Sequence, residues 1–446
     1  MSRFANAAVG GVLLVSGFTL QNVSIVYWTS APISAYGILL YANLFFAAFF
    51  GALLLAFSAA TRDPSALLVA DAAPQRALCS RRGGRATLAQ LALLVGLMNI
   101  LNGFLIVYSS PPDRTPPLIQ AVLQNSGVLF AVPASKLVLG DRKRYCAAAP
   151  LAAAALVAGS IAVSVLPTAL AGVGGEFSGG GAAKVAWILV YLLGIAPGAV
   201  YNVIQQLFLI RSGALAPGVS RRAIARASLR ALFYCNAAQL FWLLALWWVD
   251  VLPWFGASAT VTEFAANTAF SLRCSLGLPA ADAAGDGCGA AQFGTSPSVW
   301  AAAFAAAYSV SYVGSVLLNR ESAAFNMICA VITTALTSLY FLLPHTNPNA
   351  ANTPLWSVVV ALALSLTGLV LWKRWEAATP ADEQFAANDD AGGEQGGEHA
   401  LSLTGGDTAA PKLRAGGGGG GGADDLDDAL LPAAQAGAKP LLDGWR

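Results

Sequence analysis

The sequence predicts an all-α integral membrane protein with ten transmembrane helices arranged as two inverted five-helix repeats. Three observations predict this class. The 446-residue chain is 57% hydrophobic and 11% charged, with a mean hydropathy of +0.62, which is too apolar for a soluble protein. Its apolar runs are each about 20 residues long, which is the length of a helix that crosses a bilayer. Its basic residues fall almost entirely in alternate loops between these runs.

The ten predicted spans follow from the apolar runs. They cover residues 6–28, 34–58, 88–109, 117–139, 146–166, 184–209, 230–251, 297–319, 322–344 and 354–373. Two prolines predict interruptions, Pro133 in the fourth span and Pro197, followed by Gly198, in the sixth. Broken helices near the middle of a membrane expose backbone groups that can bind solutes, whereas a simple kink is satisfied by neighbouring groups. Both interpretations are open at this stage.

The basic residues predict the orientation. If the N-terminus is cytosolic, seventeen of the twenty Lys and Arg residues in 1–373 lie on the cytosolic side, and only Arg114, Lys184 and Arg273 lie opposite. The positive-inside rule therefore predicts that both termini are cytosolic. Because five spans in each half reverse the direction of the second half, we expect inverted repeats at 1–173 and 174–373.

The last part of the chain, residues 374–446, differs in composition. It contains 13 acidic and 5 basic residues and is rich in Gly and Ala. We expect it to be a disordered acidic cytosolic tail. The sequence Asp427-Asp428-Ala429-Leu430-Leu431 resembles an acidic dileucine signal, so sorting adaptors are candidate partners of the tail.

The loop at residues 252–296 falls on the luminal side and contains Cys274 and Cys288. A disulfide between them would close a loop of about 15 residues, worth roughly 3 kcal/mol in the chain-entropy model. It would need an oxidising lumen, and the alternative is two unpaired thiols. The remaining cysteines lie in cytosolic or membrane regions and are expected to be free thiols: Cys79, Cys146, Cys235 and Cys329.

Uncharged polar side chains recur at helical spacing in most of the spans. Asn99 and Asn102 are three residues apart and Gln120 and Gln124 four, so each pair projects from one helix face. An amide left unpaired in hydrocarbon costs several kcal/mol, so such faces indicate helix-helix contacts or a hydrated cavity. Because the stripes recur in so many spans, we expect a substrate-binding cavity. Its predicted lining is Gln21, Asn22, Asn99, Asn102, Gln120, Gln124, Ser126, Asn202, Gln205, Gln239, Tyr312, Asn326 and Thr333.

Charged residues do not occur in the middle of any predicted span. The nearest lie at span ends, where long side chains reach water: Lys136, Asp250, Arg320 and Glu321. A cavity without fixed charge suits neutral, zwitterionic or weakly charged solutes, and it lacks the carboxylate of a dedicated proton relay. The spans also lack clustered His, Asp, Glu or Cys, so we expect no enzyme activity, no catalytic residues, no metal and no cofactor. The basic loops are explained by topology, so no nucleic acid partner is predicted.

Several sequence features together resemble the chloroquine-resistance-transporter-like family of the drug/metabolite transporter superfamily. They are Ile119-Gln120 with Leu123-Gln124 and Ser126, Gln239-Leu240-Phe241 with Leu252-Pro253, and the cysteine-bearing loop. The resemblance covers most of residues 6–373 in element order. It implies the drug/metabolite transporter fold and a transporter of an endolysosomal, vacuolar or plastid membrane, with the first two favoured. The implied substrates are amino acids, peptides, glutathione-like thiols or cationic drugs, often moved with protons.

Two features of this chain bear on what the resemblance implies. The family's cavity-facing specificity position in the first span falls near Gln21, which is uncharged, and the loop has two cysteines where some members have four. We expect a secondary active transporter that works by alternating access, with a small-molecule substrate and the lipid bilayer as partners. The alternatives are a nucleotide-sugar or organic-phosphate antiporter, whose anions favour Lys or Arg in the cavity, and a membrane receptor or scaffold that acts through its tail.

Overall fold

The computed structural model describes residues 3–62, 87–111, 114–140, 145–171, 181–214, 219–279, 287–289, 294–319, 323–341, 343 and 355–378. These residues form helices joined by turns and contain no strand. The helices are α1 Arg3–Trp28, α2 Ala35–Thr61, α3 Leu88–Ser109, α4 Pro117–Leu123, α5 Gly127–Leu139, α6 Ala148–Ala171, α7 Gly181–Arg211, α8 Arg221–Ala245, α9 Val261–Ser275, α10 Pro297–Asn319, α11 Ala323–Phe341 and α12 Leu355–Ala378. Arg320, Glu321 and the tail beyond residue 378 lie outside the described residues, as does Cys79.

Within the described residues, five helices are long and apolar enough to cross a membrane, by length and composition. They are Ala8–Trp28 within α1, Ala35–Thr61, Leu88–Ser109, Ala186–Arg211 within α7, and Pro297–Asn319. Shorter apolar stretches lie in α5, α6, α11 and α12. The described part of the chain is therefore all-helical and has several helices able to span a membrane, as the sequence predicts.

Helices occupy each of the ten predicted segments. The bounds of α3 and α10 agree with the predicted 88–109 and 297–319. α3 begins where it does because Thr87 and Gln90 form a capping box. The Gln90 N–H donates to the Thr87 hydroxyl at 3.2 Å, and the Thr87 N–H donates to the Gln90 side chain at 2.8 Å.

The seventh segment differs most from its predicted bounds. α8 begins at Arg221 rather than at residue 230, because the Ser220 hydroxyl caps it by accepting from the Ala223 N–H at 3.2 Å. The α-helix also ends early, at Ala245, and the chain continues as the 3-10 helix Trp247–Val251. The sequence analysis missed the added turns because they carry arginines and do not continue the apolar run.

The predicted proline interruptions are wrong in position. Pro197 lies inside the continuous α7, and Pro133 lies inside α5. The fourth segment is interrupted instead at the 3-10 turn Gln124–Ser126, between α4 and α5. The α-helix continues through Pro197, and the Asn102 side chain donates to the nearby Gly194 carbonyl of α7 at 2.8 Å.

The helices pack in pairs, and glycines bring two of these pairs close together. α1 lies along α10, where a Cβ at Gly314 would lie 2.4 Å from the Leu14 nitrogen. α3 lies along α7, where a Cβ at Gly194 would lie 2.8 Å from the Leu105 Cβ. Small residues at such positions let two helix backbones approach closely. In addition, α2 packs on α8, and α6 packs on α12.

The loop between α8 and α10 contains a helix, α9, that the sequence analysis did not predict. The Glu263 N–H donates to the Thr260 hydroxyl at 3.2 Å, and the Glu263 carboxylate accepts from the Ala259 N–H at 2.8 Å. This Thr-x-x-Glu pattern is the sequence signature of a helix N-terminus. The start of α9 could therefore have been predicted from the sequence.

The predicted pairing of Cys274 with Cys288 is confirmed. The two residues are at disulfide distance, with their Cα atoms 5.4 Å apart. Cys274 lies in the last turn of α9, so the bridge ties the end of this helix to the chain that leads into α10. Within the described residues, Cys146, Cys235 and Cys329 form no disulfide.

Candidate functional site

A cavity of about 180 Å³ lies among the helices and is the candidate functional site. Residues of α1, α2, α3, α4, α7, α8, α10 and α11 line it. This volume is large enough for several water molecules. The lining includes ten predicted residues: Gln21, Asn22, Asn99, Asn102, Gln120, Gln124, Asn202, Gln239, Tyr312 and Asn326.

Three predicted residues lie outside the lining. Ser126 is buried, and its hydroxyl has no hydrogen-bond partner within the described residues. Thr333 is buried in α11. Gln205 is buried in α7, where its Oε1 accepts from Asn319 Nδ2 at 2.7 Å.

The cavity wall carries no charge. None of its described lining residues is Asp, Glu, Lys, Arg or His. The described residues also contain no group of three or more His, Cys, Asp or Glu that would hold a metal ion. The wall can therefore recognise a ligand through hydrogen bonds, aromatic faces and shape, but not through a fixed counter-charge.

Asn99 joins three helices at the cavity wall. Its Nδ2 donates to Gln239 Oε1 on α8 at 2.6 Å and to the Tyr312 hydroxyl on α10. The Tyr312 hydroxyl also donates to Gln239 Oε1 at 3.3 Å. The Asn99 Oδ1 is buried and has no partner within the described residues. Because an unsatisfied buried acceptor is costly, this oxygen is suited to accept from water or a solute.

Gln124 and Asn22 form a second polar group, at the interruption between α4 and α5. Each side-chain amide donates to the carbonyl oxygen of the other at 3.3 Å. Gln124 Nε2 also donates to the Tyr191 hydroxyl at 3.0 Å. Next to Asn22 in the chain, the half-buried Gln21 accepts from the Ser311 hydroxyl at 3.2 Å. The break in the fourth segment therefore places an amide on the wall of the cavity.

Two lining residues use their amides to hold the backbone. Gln120 Nε2 donates to the carbonyls of Ser110 and Thr115, both at 2.6 Å, and so closes the turn between α3 and α4. Asn102 donates to the Gly194 carbonyl of α7. The sequence analysis left open whether amides hold helices together or face a cavity, and these two side chains do both.

Five buried side chains lie at the end of the cavity nearest the turn between α10 and α11. We call them the amide cluster: Asn202, Gln205, Ser315, Asn319 and Asn326. Asn202 Oδ1 accepts from Ser315 Oγ at 3.2 Å, Asn319 Nδ2 at 3.0 Å and Asn326 Nδ2 at 2.9 Å. Asn326 Nδ2 also donates to Ser315 Oγ at 2.7 Å and to Asn319 Oδ1 at 2.8 Å. The cluster links α7, α10 and the start of α11.

Aromatic rings form another part of the wall. Phe46 stacks on Tyr308 with ring centres 4.5 Å apart, and Tyr308 packs edge-on against Tyr312 at 4.5 Å. Phe304 lies 5.5 Å from Tyr308, and all four residues line the cavity. Their faces carry partial negative charge, so they favour apolar groups and cations.

Asn43 is a lining residue that the sequence analysis missed. It is buried in α2, its Nδ2 donates to the Leu39 carbonyl at 2.7 Å, and its Oδ1 has no partner within the described residues. It was missed because no polar residue lies three or four positions away, so it forms no stripe. A lone amide within an apolar run was the available signal. Asn319 of the amide cluster was missed because it falls at the predicted end of a span.

Asp250 is fully buried, which contradicts the expectation that it reaches water. The Tyr108 hydroxyl donates to its Oδ1 at 2.5 Å, and the Ser258 hydroxyl donates to its Oδ2 at 2.8 Å. The Ala257 N–H donates to Oδ1 at 3.4 Å. These three donors take the place of water around the buried carboxylate. The carboxylate therefore ties the loop after α8 to α3.

Comparison with known proteins assigns no family and no function to this chain. No protein-family model matches this chain, and no curated protein matches it. The resemblance to the chloroquine-resistance-transporter-like family therefore stays a prediction that rests on the residues quoted above.

Proposed function

We propose that this protein is a secondary active transporter that moves a small neutral, zwitterionic or weakly cationic metabolite across a membrane by alternating access. The observation that carries this proposal is the cavity, where polar side chains from both halves of the chain face one space without fixed charge. Such a wall suits these solutes. The resemblance adds the candidate substrates, namely amino acids, peptides, glutathione-like thiols and cationic drugs, and a vacuolar or endolysosomal membrane.

The pairing of the helices supports an inverted repeat of two five-helix halves. In such a repeat, α1 corresponds to α7 and α3 corresponds to α10. The contact of α1 with α10 then has its counterpart in the contact of α7 with α3, and both are extensive. In this repeat α2 corresponds to α8 and α6 corresponds to α12, so the symmetry maps the contact of α2 with α8 onto itself, and likewise the contact of α6 with α12. Two halves related in this way can rock about a shared central site.

The amide cluster is proposed to close one end of the pathway. It lies at the predicted cytosolic end, whereas the opposite end of the cavity reaches Ser110 and Pro117 at the turn between α3 and α4. Hydrogen bonds between neutral groups within membranes contribute about 0.6 kcal/mol each on average. Because each bond is weak, the cluster can separate one contact at a time, and the released amides can bind water or the solute.

The two unpartnered oxygens indicate how a solute would be held. Asn43 Oδ1 and Asn99 Oδ1 both belong to buried lining residues, and both lack a donor within the described residues. A solute with N–H or O–H groups would satisfy them, with the aromatic wall beside it. An organic phosphate or nucleotide sugar would need Lys or Arg instead, so this antiporter class is the weaker alternative.

The test is a counterflow screen in proteoliposomes with amino acids, glutathione and chloroquine-like amines, with and without a pH gradient. We expect saturable exchange of one of these solutes, and Gln124→Leu should remove most of it because the variant loses the amide at the break in the fourth segment. Gln206→Leu is the control, because it removes a buried amide of α7 outside the lining. Unchanged exchange by a folded Gln124→Leu protein would count against the proposal.

Deletion of residues 375–446 separates a transporter from a receptor or scaffold that acts through its tail. A transporter should keep its flux in proteoliposomes, although its location in the cell can change. A scaffold should lose its function together with the tail. The two results are distinguished by measuring flux and cellular location on the same truncated protein.

A further inference from the structure

Trp254 has an unusual backbone conformation. Only two non-glycine residues in the described ranges have a positive φ, Arg62 at 50° and Trp254 at 56°. Arg62 is the C-cap of α2, where the left-handed conformation is a common way to end a helix. Trp254 caps no helix, and a bulky side chain is unfavourable in this region. Something must therefore offset the strain at Trp254.

The indole of Trp254 makes almost no contact with the rest of the chain. It is 95% exposed, the largest value among the exposed large hydrophobic residues of the described chain. Packing of the indole therefore does not offset the strain, and the contacts of the neighbouring residues in the turn must do so. The indole is therefore available for a contact outside the chain.

The turn that carries Trp254 is held in place by contacts of its next residues with α3 and with Asp250. Phe255 stacks on Tyr108 of α3 with ring centres 5.0 Å apart and planes 14° apart. Gly256 lies so close to Asp250 that a Cβ would meet the Asp250 carbonyl oxygen at 1.9 Å. The Ser258 hydroxyl is held by the Asp250 carboxylate at 2.8 Å. The outward direction of Trp254 is therefore a fixed feature of the turn.

The outer surface of the same segment indicates what lies against Trp254. Phe241 and Leu244 of α8 are exposed, and so are Trp247 and Trp248 in the 3-10 helix that follows. In a segment that crosses a bilayer, exposed apolar side chains contact acyl chains. In the predicted topology α8 belongs to the seventh span, and Trp254 follows the predicted end of that span at residue 251 by three residues, where the headgroup region would begin. Indole rings prefer this region, because they are apolar with one polar N–H.

We propose that Trp254 inserts into the interface of the bilayer, at the boundary between headgroups and acyl chains, on the side where α8 ends. This contact anchors the loop between α8 and α10 to the membrane. The inference concerns the membrane surface and does not depend on which solute is transported. The transport proposal can fail while the anchor stands, and the reverse is also possible.

The test compares fluorescence of the full-length protein and Trp254→Phe in nanodiscs of phosphatidylcholine with and without bromine on the acyl chains near the headgroup. The chain has 11 tryptophans, so the emission of Trp254 is read as the difference between the two proteins. We expect this difference emission to lose most of its intensity in brominated discs. Trp28→Phe is the control, because Trp28 is fully buried among the helices and its difference emission should not be quenched.

Two results would overturn the anchor. The first is a difference emission that is not quenched and has the long wavelength of an indole in water. The second is contact with another copy of the chain, which would show as a fall from dimer to monomer by mass photometry in Trp254→Phe.

A further variant separates anchoring from backbone strain. Trp254→Gly relaxes the positive φ but removes the indole. We expect faster hydrogen exchange of residues 252–260 in nanodiscs, because the anchor is lost. Exchange that is unchanged or slower would contradict the proposal.

Discussion

Two amides of the cavity wall, Asn43 and Asn99, have the same chemistry as the amide cluster and similar burial, but their side-chain oxygens are bonded in the opposite way. In the cluster, Asn202 Oδ1 accepts from three side chains of α10 and α11. On the wall, Asn43 Oδ1 and Asn99 Oδ1 accept from none of the described residues. The cluster oxygen has donors within the chain, whereas these two wall oxygens are left for a partner that comes from outside it.

This difference shows what an amide inside a membrane protein can do. A buried acceptor that has donors stabilises the contact between helices, and a buried acceptor without donors costs free energy until water or a solute arrives. In the proposed transporter, stability and recognition are thus assigned to different amides around one cavity. Replacing each kind should therefore affect a different measurement.

The largest effect on stability is expected for Asn202→Leu. This change leaves three buried donors without their acceptor, and hydrogen bonds of this kind in membranes contribute about 0.6 kcal/mol on average and up to about 1.7 kcal/mol. We expect the free energy of unfolding to fall by about 2 kcal/mol, measured by unfolding of the reconstituted protein with a denaturing detergent. Asn43→Leu, which removes one bond to the Leu39 carbonyl, should cost less than half as much. Equal losses would remove the distinction between the two groups of amides.

A smaller effect is expected for Tyr312→Phe. This change keeps the ring on the aromatic wall but removes the hydroxyl that bonds to Asn99 and Gln239. The Asn99 side chain becomes less firmly oriented, so we expect KM to rise about threefold with kcat nearly unchanged, which corresponds to about 0.6 kcal/mol of binding. Initial rates of uptake over a range of solute concentrations measure both constants. A fall in kcat without a change in KM would place Tyr312 in the conformational change rather than in binding.

The approximate positions of the helices in the ten predicted segments could be predicted from the apolar runs, and most precisely where a local signal bounds the run. α3 shows this, since the Thr87 and Gln90 capping box marks its start and Ser109 precedes a proline-rich turn. The Cys274 to Cys288 pairing could also be predicted, because both residues fall in one loop on one side of the membrane. The helix α9 was missed although its Thr260 and Glu263 signature was present.

The roles of individual amides could not be predicted from the sequence. Spacing along one helix shows which residues share a face, but it does not show what the neighbouring helix places opposite. Asn202 and Gln205 lie three residues apart on α7, yet only Asn202 lines the cavity. Similarly, a proline in a span marks a lost donor, but the sequence does not show that α7 continues through Pro197 or that Asn102 of another helix donates to the Gly194 carbonyl.

Asn43 and Asn236 provide the most direct test of the cavity. Both are buried, both donate to the carbonyl four residues earlier, at 2.7 Å and 2.6 Å, and both have an unpartnered Oδ1 within the described residues. Only Asn43 lines the cavity. The measurement is solute counterflow in proteoliposomes by Asn43→Leu and Asn236→Leu, each normalised to folded protein.

The account predicts that Asn43→Leu lowers uptake about tenfold, as expected for the loss of a contact worth about 1.4 kcal/mol, while Asn236→Leu keeps most of its uptake. Equal uptake by the two variants would contradict the claim that the charge-free cavity binds the solute.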